Sequence, residues 1–258
     1  MPSGRGKKSA AADRYNTRME PLRLLPFAKL PGVEQMAADD ALLSTAADAG
    51  VASLRFYAWA EPTLSLGYFQ PAAARHTLPP LPWVRRATGG AALVHDRELT
   101  YALALPAGAA WQPAGQSWLC RVHHGIQEAL AGLGAATEAV VCGRERKLGD
   151  VLCFEHQTAG DLVSGAAKVV GSAQRKSRGA LLQHGGILLR RSEFTPGLPG
   201  LFELTGVALD PEALAARLAA TFATAFAVTP GDWTPAELAA RGRLAAEKYG
   251  NAAWSEKR

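Results

Sequence analysis

Three pieces of this chain carry residue types suited to chemistry, and they stand well apart along it. The segment RRATGGAALVHDRELTYAL begins at Arg85 and holds Arg86, Thr88, Gly89 and Gly90; Cys153 comes later, and Lys168 stands fifteen residues after it in the strand-like run AAKVVGSAQR. Glycine has no Cβ, so the Gly89-Gly90 turn lets backbone approach a ligand closely. A lysine in an apolar run needs a reason, because burying an ammonium is costly unless it is paired or serves chemistry. Lys168 is therefore either a structural anchor or a working group aimed at a carbonyl. A thiolate is a strong nucleophile, and a neighbouring ammonium favours it. Glycine turn, cysteine and lysine together suggest acyl transfer, with Cys153 as nucleophile; its bland alternative is an inert buried thiol.

The elements that must position these residues follow from pattern. RLLPF reads as a first strand, and Val33 to Ala47, between Gly32 and Gly50, as a first helix. LRFYAW (54–59) and TLSLGYF (63–69) are rich in strand formers and separated by Glu61-Pro62, which predicts a hairpin. WVRR, AALVH and LTYALAL are three further short strands, with the glycine turn between the first two. Gln116 to Leu133 is the clearest amphipathic helix, with Leu119, Val122, Ile126, Leu130 and Leu133 on one face and Gly134 ending it. EAVVC (138–142), DLVS (161–164), KVVGSAQR (168–175) and ALLQHGGILLR (180–190) read as strands, the last two joined through Ser177-Arg178-Gly179. Two helices close the chain, Pro211 to Ala227 capped by Asp210 and Thr234 to Lys248 capped by Thr234. The expected fold is a single α+β domain over residues 19–258, a mixed, largely antiparallel sheet flanked by helices.

Charge and composition exclude several classes. The sequence pI is 9.3, yet Arg5, Lys7, Lys8, Arg14 and Arg18 against Asp13 place +4 of the formal +5 within residues 1–18. The remainder is nearly neutral, which argues against a nucleic-acid face. Residues 1–18 read as a disordered basic tail, and Met19 offers an alternative start. With 258 residues, 48% of them hydrophobic, the chain can bury a large core. It has no uninterrupted apolar stretch of membrane-spanning length and no secretory signal. Cys120, Cys142 and Cys153 form neither a disulfide framework nor a metal-ligand spacing, which fits free thiols in a reducing compartment and a cytoplasmic protein. Cys120 and His124, four residues apart on the predicted helix, make half a metal site with no second pair, so no metal is expected.

Several other residues divide between chemistry and structure. His95 and His184 either orient a substrate, act as a base, or are hydrogen-bonded structural groups. Arg85 and Arg86 alternate across a strand, so one faces the site, Arg86 by preference, and the other is solvated or paired. Gly171 and Ser172 either line a slot by close backbone approach or mark a bulge or tight packing point. Trp233, Tyr249 and Trp254 read as packing for the terminal helices.

Taken jointly, RLLPFAKLPGVEQMAADDALL, RRATGGAALVHDRELTYAL and KVVGSAQRKSRGALLQHGGILL resemble the biotin and lipoate protein ligase and octanoyltransferase superfamily over residues 22–190. The pair Cys153-Phe154 ahead of the lysine is similar to the octanoyltransferases that work through an acyl-enzyme. The resemblance implies transfer of an octanoyl group from octanoyl acyl carrier protein to a lysine of a lipoyl domain or glycine-cleavage H protein. It implies Cys153 and Lys168 as catalytic groups, and Arg86, Thr88, Gly89, Gly90, His95, Gly171, Ser172 and His184 around the substrate. No cofactor is needed, because the thioester donor is already activated. Two alternatives stay open: an ATP-dependent lipoate-protein ligase, using Mg-ATP, or an amidotransferase on the same fold, and a non-catalytic relative that only binds acyl or lipoyl groups.

Overall fold

Helix α1 (Gly32–Ala49) shows how this sequence builds its layers. Its inward face carries Ala37, Ala38, Ala41 and Ala46, small side chains that let a helix lie close on a sheet. The strand beneath it answers with Ala102 and Ala104, while Leu99, Tyr101, Leu103 and Leu105 of the same strand point to the opposite face and a second core. All of that strand, Glu98–Leu105, is buried, as expected when both faces of a sheet are covered. In this computed structural model, residues 19–111, 115, 117–149 and 151–258 are described. The predicted tail at 1–18 and the start of the second helix at Gln116 lie outside them.

In chain order the strands are β1 (Pro21–Leu24), β2 (Ala28–Leu30), β3 (Ser53–Trp59), β4 (Thr63–Leu66), β5 (Trp83–Arg85), β6 (Leu93–His95), β7 (Glu98–Leu105), β8 (Glu138–Ala139), β9 (Arg146–Lys147), β10 (His156–Gln157), β11 (Leu162–Ser164), β12 (Ala167–Ser177), β13 (Ala180–Leu188) and β14 (Ala227–Pro230). The helices after α1 are α2 (Trp118–Ala131), α3 (Leu201–Thr205), α4 (Pro211–Phe222), α5 (Pro235–Leu244) and α6 (Ala252–Ser255). The large sheet runs β14-β1-β3-β7-β13-β12-β11-β8, with β2 added beside β3; a small sheet runs β5-β4-β6, and β9 pairs with β10. Pairings are parallel at the β14-β1-β3 end and antiparallel from β3 through β8, so the sheet is mixed, as expected. No helix among the described residues is long and apolar enough to cross a membrane.

Four expectations about elements are corrected. Residues 54–59 and 63–69 form no hairpin: β3 pairs with β1, β2 and β7, while β4 pairs with β5 and β6 in the small sheet. The turn at Glu61-Pro62 carries the chain from one sheet to the other. The helix expected over Pro211 to Ala227 stops at Phe222, and Ala227–Pro230 becomes an edge strand parallel to Pro21–Leu24, because the open edge of β1 supplies backbone partners. The strand expected at 138–142 shrinks to Glu138–Ala139. On α2, Leu133 is exposed and lies past the helix end, which falls at Gly132. Capping follows sequence: Asp210 accepts from the Ala213 N–H and Thr234 from the Glu237 N–H. The β12–β13 hairpin turns through Arg178 (φ 48) and Gly179 (φ 83), two left-handed residues whose twist suits paired strands.

Candidate active site

Cys153 and Lys168 meet. Lys168 points from β12 so that its Nζ lies 3.8 Å from Cys153 Sγ, donating also to the carbonyls of His156 (2.9 Å) and Cys153 (3.3 Å). The ammonium is 3% exposed and forms an ion pair with Asp161 Oδ2 at 2.8 Å. Asp161 is held in turn by the Thr158 N–H (2.7 Å) and hydroxyl (2.9 Å). Gly171 makes the room: a Cβ there would sit 2.4 Å from Lys168 Cε. Its close approach is to a side chain of the protein itself.

The cysteine is brought to the glycine turn by backbone pairing. Its N–H donates to the Ala92 carbonyl at 2.7 Å, and the Ala92 N–H donates to Val151 O at 2.9 Å, so the segment around Cys153 lies alongside the residues that follow Gly89-Gly90. The turn itself is set by Arg86, whose guanidinium donates to Gly89 O (3.1 Å), Ala91 O (2.9 Å) and Ser65 O and Oγ. Burial pushes Arg86 below its usual value, and the nearby Cys153 and Glu98 pull it back. Gly90 adopts φ 92, and a Cβ on Gly67 would meet Gly90 O at 1.8 Å, so the two glycines pass where no side chain fits. Arg85 turns the other way and bonds the carbonyls of Ser255 (2.8 Å) and Gln70 (2.6 Å), which ties the C-terminal segment beneath the turn.

Both histidines have their ring nitrogens occupied. His95 Nδ1 lies 2.6 Å from Glu98 Oε1 and Nε2 2.6 Å from Ser65 Oγ. Burial drives its pKa down, outweighing the pull of Glu98, so a neutral ring donates to the carboxylate and accepts from the serine. His184 Nδ1 lies 2.8 Å from Asp39 Oδ2, and its Nε2 2.7 Å from Thr88 Oγ1. Asp39 also faces Arg55 (3.6 Å) and Tyr57 OH (3.1 Å), so Thr88 is anchored through His184 to a buried polar cluster between α1 and β3. Ser172 turns its hydroxyl away, to Tyr101 OH and His123 Nε2, and offers its backbone to the slot.

Met36, Tyr57, Trp59, Leu93, Thr100 and Gly186 enclose a narrow apolar slot between the two sheets, a cavity of about 50 Å³, and Cys153, Arg86, Gly89, Gly90, Gly171, Ser172, His95 and His184 border it. Of the ten site residues singled out from sequence, Thr88 and Lys168 are absent from this lining; Lys168 meets the slot only through Cys153 and Gly171. Sequence reasoning passed over Asp161, Asp39, Glu98, Ser65 and His123. For Asp161 a signal existed: a carboxylate opening the run DLVS, seven residues before Lys168, in a hairpin where Val163 faces Lys168. Cys120 and Cys142 are free thiols away from this slot. No group of three or more candidate ligands among the described residues is placed to hold a metal.

An apolar slot that ends at a thiol beside a charged lysine is suited to holding an acyl chain with its carbonyl at the sulfur. The chain belongs to the lipoyl protein ligase A/B catalytic-domain family, whose model matches residues 31–194. It is 34% identical over 184 residues to the octanoyltransferase LipM of Brevibacillus brevis, a match covering 66% of this chain and 67% of that protein. It is 31% identical over 268 residues to the octanoyltransferase LipM of Symbiobacterium thermophilum, covering 90% of this chain and 97% of that one. Among solved structures, a lipoate-protein ligase A bound with ATP superposes with a TM-score of 0.72 at 20% identity, covering 92% of this chain and 99% of the other. The bipartite lipoate protein ligase of Thermoplasma acidophilum superposes with a TM-score of 0.69 at 18% identity, covering 93% and 97%. These structures share the fold.

Proposed function

We propose that the protein is a cysteine-dependent octanoyltransferase of protein lipoylation, taking the octanoyl group from octanoyl acyl carrier protein and delivering it to a lysine of a lipoyl domain or glycine-cleavage H protein. The observation that carries this reading is the Lys168 ammonium 3.8 Å from Cys153 Sγ at the end of an apolar slot. The octanoyltransferases similar to this chain point the same way. In the first step the Cys153 thiolate attacks the thioester carbonyl, the carbonyl-to-carrier C–S bond breaks, and the carrier thiolate takes up a proton. In the second the neutral amine of the acceptor lysine attacks the enzyme thioester, an amide forms, Cys153 leaves as thiolate, and the amine proton passes to solvent.

Lys168 has two tasks in this scheme. Its charge favours the thiolate, and the same charge, 3.8 Å from the sulfur, stabilises the negative charge that develops on the carbonyl oxygen. Asp161 keeps the ammonium in place. Burial of the octanoyl tail contributes roughly 5 kcal/mol at about 0.8 kcal/mol per methylene, which positions the carbonyl at the sulfur. The donor is already a thioester, so the scheme requires no nucleotide.

The test is incubation with octanoyl acyl carrier protein without ATP, followed by intact mass and peptide mapping, alongside Cys153→Ala. The expected result is an octanoyl adduct on Cys153, absent from the variant and chased onto a lipoyl domain. No adduct, with Cys153→Ala fully active on free lipoate and Mg-ATP, would replace the transferase with the ligase.

A further inference from the structure

The register of the large sheet lays four residues in one line beneath the slot. Gly171 of β12 pairs with Gly186 of β13, Gly186 with Thr100 of β7, and Thr100 with Tyr57 of β3. Neighbouring strands lie about 4.8 Å apart, so this row crosses about 14 Å of sheet. One end is fixed at the reacting pair, since Gly171 lies directly against the Lys168 side chain. Along the row the side chains grow: nothing at 171, nothing at 186, a threonine at 100, a phenol ring at 57. The first two strands put no side chain of their own into the row, where Lys168 flanks Gly171 and the Glu98 carboxylate flanks Gly186, and beyond them the floor rises.

Trp59 closes the space above the rise. Its Nε1 donates to Thr100 Oγ1 at 2.9 Å, and its ring stacks on His95 at 3.7 Å between centroids. The partners are themselves fixed, Thr100 by its bond to Glu98 (2.6 Å) and His95 by Glu98 and Ser65. The indole is thus locked on an edge and on a face. A wall of this kind is needed for selectivity, because an open apolar slot favours longer chains by about fourfold per added methylene.

We propose that this row is a length gauge: an acyl chain held at Cys153 lies over Gly171 and Gly186, and its methyl end stops against Thr100 and Trp59. Gly186 and Trp59 therefore set the longest acyl group that enters. The inference rests on the acyl-transfer reading above and adds to it which residues choose the chain.

The experiment follows the rate of Cys153 acylation by intact mass with butyryl, octanoyl and dodecanoyl thioesters of pantetheine. Trp59→Ala is expected to raise the dodecanoyl-to-octanoyl ratio by more than about tenfold, a fraction of the roughly two-hundred-fold available from four newly buried methylenes. Gly186→Ala, whose Cβ would lie 3.1 Å from Glu98 Oε2, is expected to lift butyryl over octanoyl by about tenfold, since it adds a methyl to a floor already flanked by that carboxylate. If circular dichroism shows Trp59→Ala unfolded, Trp59→Phe keeps the stacking ring, loses the bond to Thr100 and gives a smaller shift in the same direction. Chain-length ratios unchanged in Gly186→Ala and in the folded Trp59 variant overturn the gauge. Failure of every thioester to acylate the unmodified protein removes the acyl-transfer reading, and the gauge with it.

Discussion

The Asp161–Lys168 pair separates what the site needs to fold from what it needs to react. Both side chains are nearly sealed from solvent, at 1% and 3% exposed, and their charged atoms are 2.8 Å apart. Asp161→Asn keeps the size of the side chain and an acceptor for the Thr158 N–H and hydroxyl, and removes only the counter-charge. Breaking a buried pair from one side costs about 3–5 kcal/mol, because the remaining charge is left uncompensated. Lys168→Met leaves the converse, a buried carboxylate that still has two hydrogen bonds from Thr158, so its cost is expected at about 3 kcal/mol, the low end of that range. The double variant leaves neither charge, so its cost in urea unfolding is expected at about 3–6 kcal/mol against about 6–8 for the sum of the single variants, a coupling of roughly 2–3 kcal/mol, of the size seen for residues in one network. Reactivity is expected to behave differently. Alkylation of Cys153 by iodoacetamide near neutral pH should fall by about tenfold or more in Lys168→Met and stay low in the double variant, since the ammonium that favours the thiolate is gone in both. Single variants that unfold within about 1 kcal/mol of the parent, or a double variant that alkylates at the parental rate, would refute the assignment of Asp161 as the group that holds the lysine charged at the sulfur.

Two further outcomes follow from the same geometry. Gly171→Ala would place a methyl 2.4 Å from Lys168 Cε and 2.8 Å from its Nζ, and misplacing a reacting group by about 1 Å costs on the order of 10²-fold; a transfer rate within about threefold of the parent would show that the lysine has another position to work from. His95 and His123 are both held below the ordinary imidazole value of 6.5, chiefly by burial, against the pull of Glu98 on the first and of Gly160 O and Asp161 on the second. The unfolded chain therefore binds their protons first. This part of the stability is complete above about pH 6.5 and is lost as the pH falls toward the depressed folded values, by up to about 1.4 kcal/mol per pH unit for each ring. Urea midpoints measured across that window check it, and a flat profile that His123→Asn leaves unchanged would contradict it.

Legibility of the site divided along physical lines. Cys153, Lys168 and the glycines could be read because each is a costly or permissive residue in an apolar setting, and such residues stand out one at a time. The β12–β13 hairpin could be read because Ser177-Arg178-Gly179 is a local turn with a fixed geometry. What could not be read is non-local. Residues 54–59 and 63–69 carry the same strand chemistry, and nothing within either run states that one belongs to the large sheet and the other to the small one. Ala227–Pro230 continues a helical sequence and turns to strand because β1, some two hundred residues earlier, has an open edge.

The buried polar partners were hidden for a related reason. Asp39, Glu98 and Ser65 look like ordinary surface types in sequence, and become partners only when α1, β7 and β4 are stacked around the slot. Asp161 is the instructive exception. It lies seven residues from Lys168 in an antiparallel hairpin, close enough for a local reading to have paired them, yet the run DLVS drew attention through its apolar residues. A buried lysine in a strand obliges the neighbouring strand to carry its counter-charge or an array of carbonyls. Here the fold supplies both, Asp161 on one side and the Cys153 and His156 carbonyls on the other. That accounts for all three ammonium donors, so the lysine reaches the sulfur only by sharing the N–H that also meets the Cys153 carbonyl. Removing a carbonyl from this array is impossible by side-chain substitution, which leaves Asp161 as the partner through which the ammonium can be tuned.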